Sequence, residues 1–283
     1  MNEKILALGG TGMLGQPSAR RLQADGFHVR LLARDVEKTR QLFDETFEVV
    51  PGDVTNLSSL EKAMTGCQGV FLSIGGPVDQ LSAENVAALA PRLGVGHLIY
   101  LSGSTVKEPN RWYPMTAQKL NAEKAIRECG VPYTILCPSW PMEQLPRFVR
   151  EGRATVIGVL PDPWHWFAAG DLARMVSNAF QRQPARGKRL YVHGPEGIPV
   201  KDALERYCQA FHPEIESVAV MPIEAAMAMA ESTGSVFIKV FAEMMDYFKK
   251  AGEPGDPTEA NQILGAPTIT LDEWMRQRHP QVA

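Results

Sequence analysis

An open α/β fold, with a parallel sheet wound by helices on both faces, is predicted for this 283-residue chain by three features of its first half. Short apolar runs alternate with helical patterns, the signature of a parallel sheet covered on both faces. A glycine triplet stands directly after the first run. Six such strand–helix steps fit within about 140 residues, the density of a doubly wound sheet.

Strands are expected at Lys4–Leu8, His28–Ala33, Glu48–Val50, Val70–Ile74, His97–Leu101 and Tyr133–Cys137. Helices are expected between them at Met13–Ala24, Val36–Phe43, Ser58–Met64, Gln80–Leu93 and Tyr113–Cys129. Gly26, Gly94 and Gly130 stand where helix C-termini call for positive φ, and Ser58 with Glu61 matches a capping box. After Pro138 prolines become frequent and the pattern loosens. A helix with Asp171 as N-cap runs to Gln181, then a strand covers Lys188–Val192. Further helices are expected at Val200–Phe211, Ile223–Ser232, Val236–Lys250 and Leu271–Arg278, with a loop over Ala251–Thr258. The chain therefore divides on sequence into a nucleotide-binding sheet domain over 1–140 and a smaller, mainly helical substrate lobe over 141–283.

Composition narrows the classes. A hydrophobic share of 45% with 22% charged residues is that of a globular protein. A net charge of −3 gives no bulk attraction to nucleic acid or to an anionic membrane. No apolar run approaches the roughly 18 residues of a membrane span, and the N-terminus has no signal-peptide pattern, so a cytoplasmic protein is expected. Cys67, Cys129, Cys137 and Cys208 are scattered and read as free thiols. The six histidines show no H-E-x-x-H pair, so no metal site is expected.

The strongest motif is Gly9-Gly10-Thr11-Gly12-Met13-Leu14-Gly15. A strand, a tight glycine turn and a helix N-terminus together aim backbone N–H groups and a positive dipole end at a pyrophosphate. The motif gives the first domain the character of a Rossmann dinucleotide-binding unit. At the end of the second strand an acid normally accepts from the ribose 2′-OH. Here Arg34 precedes Asp35, and Lys38 follows one helical turn on. Arg34 offers a planar fork to a 2′-phosphate, which favours NADP(H) while Asp35 keeps NAD(H) open. Asp53, before Val54, accepts from the adenine amino group or simply forms a turn. Ser73, Ile74 and Gly75 close the fourth strand at the carboxyl edge, where ligands bind in such sheets.

These residues, with Ser102-Gly103, the run Lys119 to Glu123, Thr134 to Pro138 and Gly170-Asp171-Leu172-Ala173, resemble the short-chain dehydrogenase/reductase superfamily. The resemblance is narrowest to its atypical NmrA-like branch and covers most of the chain. It implies a Ser, a Tyr and a Lys in catalysis, the last two spaced Y-x-x-x-K. Lys119 stands at the lysine position, where it would donate to the nicotinamide ribose; an exposed helix lysine is the alternative. Met115 stands where the tyrosine belongs and Gly103 where the serine belongs. Tyr113 is the nearest hydroxyl, off the helical face of Lys119, and Ser102 and Ser104 flank the empty serine position. Pro138-Ser139-Trp140 is the stretch that the resemblance places along the nicotinamide end, although Trp140 fits a core as well. His165, between two tryptophans, is a proton-donor candidate on position alone.

Two functions follow from this reading. One is an NADPH-dependent oxidoreductase that passes hydride to a small, apolar, quinone-like or carbonyl substrate without the usual Ser–Tyr pair. The other is a non-catalytic NADP(H)-sensing regulator of the NmrA type acting through a protein partner. A sugar-nucleotide epimerase is disfavoured, since Met115 removes its base. Oligomeric state is not legible.

Overall fold

Ile5, Leu6, Ala7 and Leu8 are wholly buried, as a strand covered on both faces must be. They belong to the first element of a computed structural model that describes residues 3–160 and 163–278. In chain order the elements are β1 (Lys4–Leu8), α1 (Gly15–Ala24), β2 (His28–Ala33), α2 (Val36–Leu42), β3 (Glu48–Pro51), α3 (Leu57–Met64), β4 (Gly69–Leu72), α4 (Asp79–Leu89), β5 (His97–Leu101), α5 (Pro114–Glu128) and β6 (Tyr133–Pro138). There follow β7 (Val149–Arg150), β8 (Arg153–Ile157), β9 (Trp164–Trp166), α6 (Ala169–Gln181), β10 (Lys188–Val192), β11 (Glu196–Ile198), α7 (Val200–Phe211), β12 (Val218–Met221), α8 (Ile223–Thr233), α9 (Val236–Ala251), α10 (Thr258–Leu264) and α11 (Leu271–Arg278).

Seven parallel strands form the main sheet in the order β10-β6-β5-β4-β1-β2-β3. The order reverses between β1 and β4, where Leu8 pairs with Leu72. A crevice at the carboxyl ends of these two strands is the expected ligand position of an open α/β sheet. The doubly wound class read from the sequence is the one observed.

The chain forms two compact units. One holds the chain through Pro138, then Ala169–Val192 and Asp256–Ala266; the other holds Ser139–Ala168, His193–Gly255 and the chain from Pro267 onward. A single break after residue 140 does not describe this division, because β10 pairs in parallel with β6 and so returns to the sheet. The second unit contains α7, α8, α9 and α11, but also a β12-β8-β7 sheet and a β11-β9 pair absent from the mainly helical expectation. Those strands run two to five residues, too short to show a period between prolines and glycines. The core of this unit gathers Trp140, Trp164, Trp166, Leu204, Met245 and Trp274.

Two caps differ from expectation. Asn56, not Ser58, caps α3: its side chain accepts from the Ser59 amide at 3.0 Å from an extended backbone. Helix α6 begins at Ala169, ahead of Asp171, whose carboxylate instead pairs with Arg174 at 3.0 Å. The cysteines are free, as expected. Burial pushes the Cys137 thiol up to about 12, so it stays protonated and unreactive.

His97, the first residue of β5, is 3% exposed. The Thr134 hydroxyl donates to the Ala185 carbonyl at 2.8 Å, so it accepts from His97 Nε2 at 2.9 Å. No acceptor faces the buried Nδ1, and burial pulls the ring's pKa from 6.5 down to about 4. The folded state therefore binds fewer protons here than the unfolded chain, and stability falls as pH drops from about 6.5 toward 4. Replacing His97 by Gln is expected to shrink the stability lost between pH 7.5 and 4.5 by about 2 kcal/mol, measured by urea unfolding at both pH values.

Candidate dinucleotide site

The glycine loop is built by close backbone approach. Gly9 has φ +76°, and a Cβ on it would lie 2.2 Å from the Ser73 carbonyl oxygen at the end of β4. A Cβ on Gly15 would lie 2.0 Å from the Gly9 carbonyl oxygen. Only hydrogen at both positions lets the loop turn against β4 and lets α1 start beneath it. The Gly12 amide donates to the Gly9 carbonyl at 2.9 Å, which closes the turn. Thr11 and Gly12 are exposed, with Met13 and Leu14 half-buried. No side chain caps α1, and its first turn holds no acid. The positive end of the helix is therefore left for an external anion, and the cradle fits a pyrophosphate.

At the end of β2 the two charged residues separate in role. Asp35 caps α2, its Oδ1 accepting from the Lys38 amide at 3.0 Å. Arg34 and the Lys38 side chain are exposed. Asp53 Oδ1 accepts from the Thr55 amide at 2.8 Å and the Thr55 hydroxyl at 2.7 Å. These two donors, then the Arg34 charge, hold the Asp53 carboxyl below the usual range. The geometry is that of the turn-forming alternative for Asp53. Val54 accepts from Asn85 through its carbonyl at 2.9 Å. Ser73 and Ile74 are half-buried and Gly75 exposed beyond β4.

Lys119 is not the exposed helix lysine that the sequence left as its alternative. From α5 its Nζ donates to Asp79 Oδ2 at 2.7 Å and to the Leu101 carbonyl at 3.0 Å, with 14% of the side chain exposed. Asp79, 2% exposed at the start of α4, accepts on Oδ1 from the Tyr100 hydroxyl at 3.0 Å. The Tyr100 hydroxyl lies 3.4 Å from Lys119 Nζ. Tyr100 is wholly buried, and burial followed by the Asp79 charge raises its pKa, so the phenol stays neutral. Asp79 escaped the sequence reading because an acid in the first turn of a helix is an ordinary complement to the dipole.

The other predicted residues are differently placed. Tyr113 is the extended N-cap residue of α5, half-buried, with its ring against Trp112. Met115 is 41% exposed. A Cβ on Gly103 would meet only Val106 Cγ2 at 3.5 Å, so a serine Cβ would fit there. The Ser102 hydroxyl donates to Glu123 Oε1 at 2.5 Å, and the Glu123 carboxylate, 1% exposed, also holds Arg127 and Arg189. Ser102 is thus committed to a buried network. Pro138 ends β6 in the first unit. In the second unit the Ser139 hydroxyl donates to the His165 carbonyl, and Trp140 packs among Trp164, Trp166 and Phe248. Core packing, one of the two readings of Trp140, is what the geometry displays.

Residues 9–155, more than half of the chain, match the NAD(P)H-binding family. The chain belongs to that family. The NAD(P)H-binding chain is 34% identical over 209 residues to a (4-alkanoyl-5-oxo-2,5-dihydrofuran-3-yl)methyl phosphate reductase of Streptomyces griseus, covering 70% of each. It is 23% identical to an NAD(P)H azoreductase of Xenophilus azovorans, covering 96% of each. An NADPH-dependent quinone oxidoreductase of Escherichia coli, solved with NADPH, superposes with a TM-score of 0.78 at 20% identity, over 97% of this chain and 99% of that one. A mutant NmrA structure superposes with a TM-score of 0.69 at 19% identity, over 99% of this chain and 96% of that one, and shares the fold. Among the described residues no helix is long and apolar enough to cross a membrane.

Replacing Gly15 by Ala forces the Gly9 carbonyl to move. Overpacking of this kind costs about 1–3 kcal/mol. A lower thermal midpoint is expected, with NADPH affinity reduced at least about tenfold. Fluorescence titration of the dinucleotide, with circular dichroism as the folding control, reads both.

Proposed function

We propose that the protein is an NADPH-dependent reductase that delivers hydride to a small, apolar, conjugated acceptor of quinone-like or carbonyl type. The observation that carries the reading is the Asp79–Lys119 pair at the carboxyl edge of the same sheet that forms the glycine cradle. A buried carboxylate and a backbone carbonyl fix the ammonium in place, and its third N–H, held only by a long 3.4 Å bond to the Tyr100 hydroxyl, is the one a ribose hydroxyl would take. NADPH supplies the hydride when bound. The chain's part is to bind and orient: the Gly9–Gly15 loop takes the pyrophosphate, and Lys119 the ribose. Arg34 with Lys38 takes the 2′-phosphate, since the Asp35 carboxylate is already spent on capping α2.

Neither Gly103 nor Met115 can carry a proton, so the acceptor must tolerate the negative charge until water protonates it. Conjugated acceptors do so, and this is the chemistry suggested by the names of the furanone-phosphate reductase, the azoreductase and the quinone oxidoreductase. The regulatory reading, an NADP(H) sensor with a protein partner, draws on the same two substitutions.

The test is NADPH oxidation against a panel of quinones and acyl-substituted unsaturated lactones. Turnover is expected, with kcat/KM lowered about 100-fold in Lys119→Ala, a loss of about 3 kcal/mol of transition-state stabilisation. Arg34→Ala is expected to raise the KM for NADPH about tenfold while leaving that for NADH unchanged. Tight NADPH binding without turnover on any acceptor would move the function to the sensor.

A further inference from the structure

His165, His193 and Glu253 lie far apart in the sequence and share no motif, yet one ligand atom from each falls within 4.8 Å of the others. All three belong to the second unit. His165 is the middle residue of β9, and its amide and Nδ1 meet the two oxygens of Glu253 at 2.9 and 2.5 Å. The Glu253 side chain is 6% exposed, and it reaches this position from the loop after α9, between Gly252 at φ +61° and Gly255 at φ +107°.

His193 is brought alongside by an unusually close backbone crossing. The amide of Gly194 donates to the His165 carbonyl at 3.1 Å, and a Cβ on Gly194 would lie 1.6 Å from the Trp166 carbonyl oxygen. Only glycine allows the turn after His193 to touch β9, and the two imidazoles consequently sit with centroids 5.6 Å apart. Opposite His165 on β11 stands Gly197, where a Cβ would come within 3.3 Å of His165 Nε2. The flanking Trp164 and Trp166 are buried, whereas 43% of the His165 side chain is open to solvent.

We propose that His165, His193 and Glu253 bind one divalent transition-metal ion of the zinc type, with a fourth position open to water. Two imidazoles and a carboxylate are a donor set for such ions, and three protein ligands leave one position free. Two imidazoles on one tetrahedral ion have centroids about 5 Å apart, given metal–nitrogen distances of roughly 2 Å; the separation here is close to that, with the rings within 15° of parallel, so one ring must turn to share an ion. Ligand atoms on such an ion lie roughly 3.3 Å from one another. Reaching that from the present spread takes side-chain rotation and a small shift of the glycine-flanked Glu253 loop. The ion then displaces the proton that Nδ1 shares with the carboxylate, and that proton leaves to solvent.

The proposal does not depend on the reductase reading, and its test needs no turnover. Tag-free full-length protein, stripped with a chelator, is titrated with Co2+ while its visible absorption is recorded, and with Zn2+ against a chromophoric chelator. One equivalent is expected to bind more tightly than about 10 µM. Glu253→Gln and His193→Asn are each expected to weaken binding at least about 30-fold, and His212→Asn, altering a histidine beside Glu214 and Tyr207 and outside the cluster, to leave it unchanged. Glu253→Gln keeps an acceptor for the His165 amide, so it decides the matter should His193→Asn fail to fold by circular dichroism. Binding weaker than about 10 µM, binding unaltered in Glu253→Gln, or binding lost equally in His212→Asn overturns the site.

Discussion

The backbone contact between Gly9 and the end of β4 is the constraint on which the rest of the first unit depends. With its φ positive and the Ser73 carbonyl where a Cβ would be, Gly9 can be no other residue without moving a sheet strand. The Gly9 carbonyl oxygen in turn bars a Cβ at Gly15, so α1 begins directly under the turn. A phosphate cradle is what remains when two side chains are excluded from one turn. Strand order places that turn at the reversal between β1 and β4.

A second buried group sets the other side of the carboxyl edge. Asp79 ties together a strand residue, Tyr100, and a helix residue, Lys119, through the two oxygens of one carboxylate. Breaking such a pair on one side leaves an uncompensated buried charge, so Asp79 is a positioning residue for Lys119. Glu123 does the same with Ser102, Arg127 and Arg189. The edge is stiffened by two buried carboxylates, neither of which leaves a proton donor at the positions of Gly103 and Met115. That combination, a fixed lysine with Gly103 and Met115 unable to give a proton, is why the proposed chemistry is confined to acceptors that stabilise charge themselves.

Much of the first unit could be read directly. Residues 5–8 and 98–101 are continuous apolar runs and mark strands buried on both faces, whereas His28–Ala33 carries Arg30 and alternates in burial. Gly26, Gly94 and Gly130 do adopt positive φ at helix ends. The glycine loop was legible because its residue types are dictated by local backbone geometry. Asp79 and Tyr100 were not, because their meaning comes from a pairing across more than twenty residues of sequence. Lys188–Val192 was read as a strand, but its place beside β6 depends on a long-range pairing that no local pattern carries. The His165–His193–Glu253 cluster was hidden for the same reason, its members being brought together by the Gly194 crossing and by the loop after α9 that carries Glu253. In the second unit Met245 of α9 is buried, while Phe237 of the same helix is 48% exposed.

Backbone amide hydrogen exchange with and without NADPH tests the central claim, that the dinucleotide's pyrophosphate rests on the glycine loop and the start of α1. Slower exchange on NADPH addition is expected over residues 9–16, together with the start of α2 beyond Arg34. Unchanged exchange in the glycine loop, at an NADPH concentration that saturates the protein, would contradict the claim and place the cofactor elsewhere.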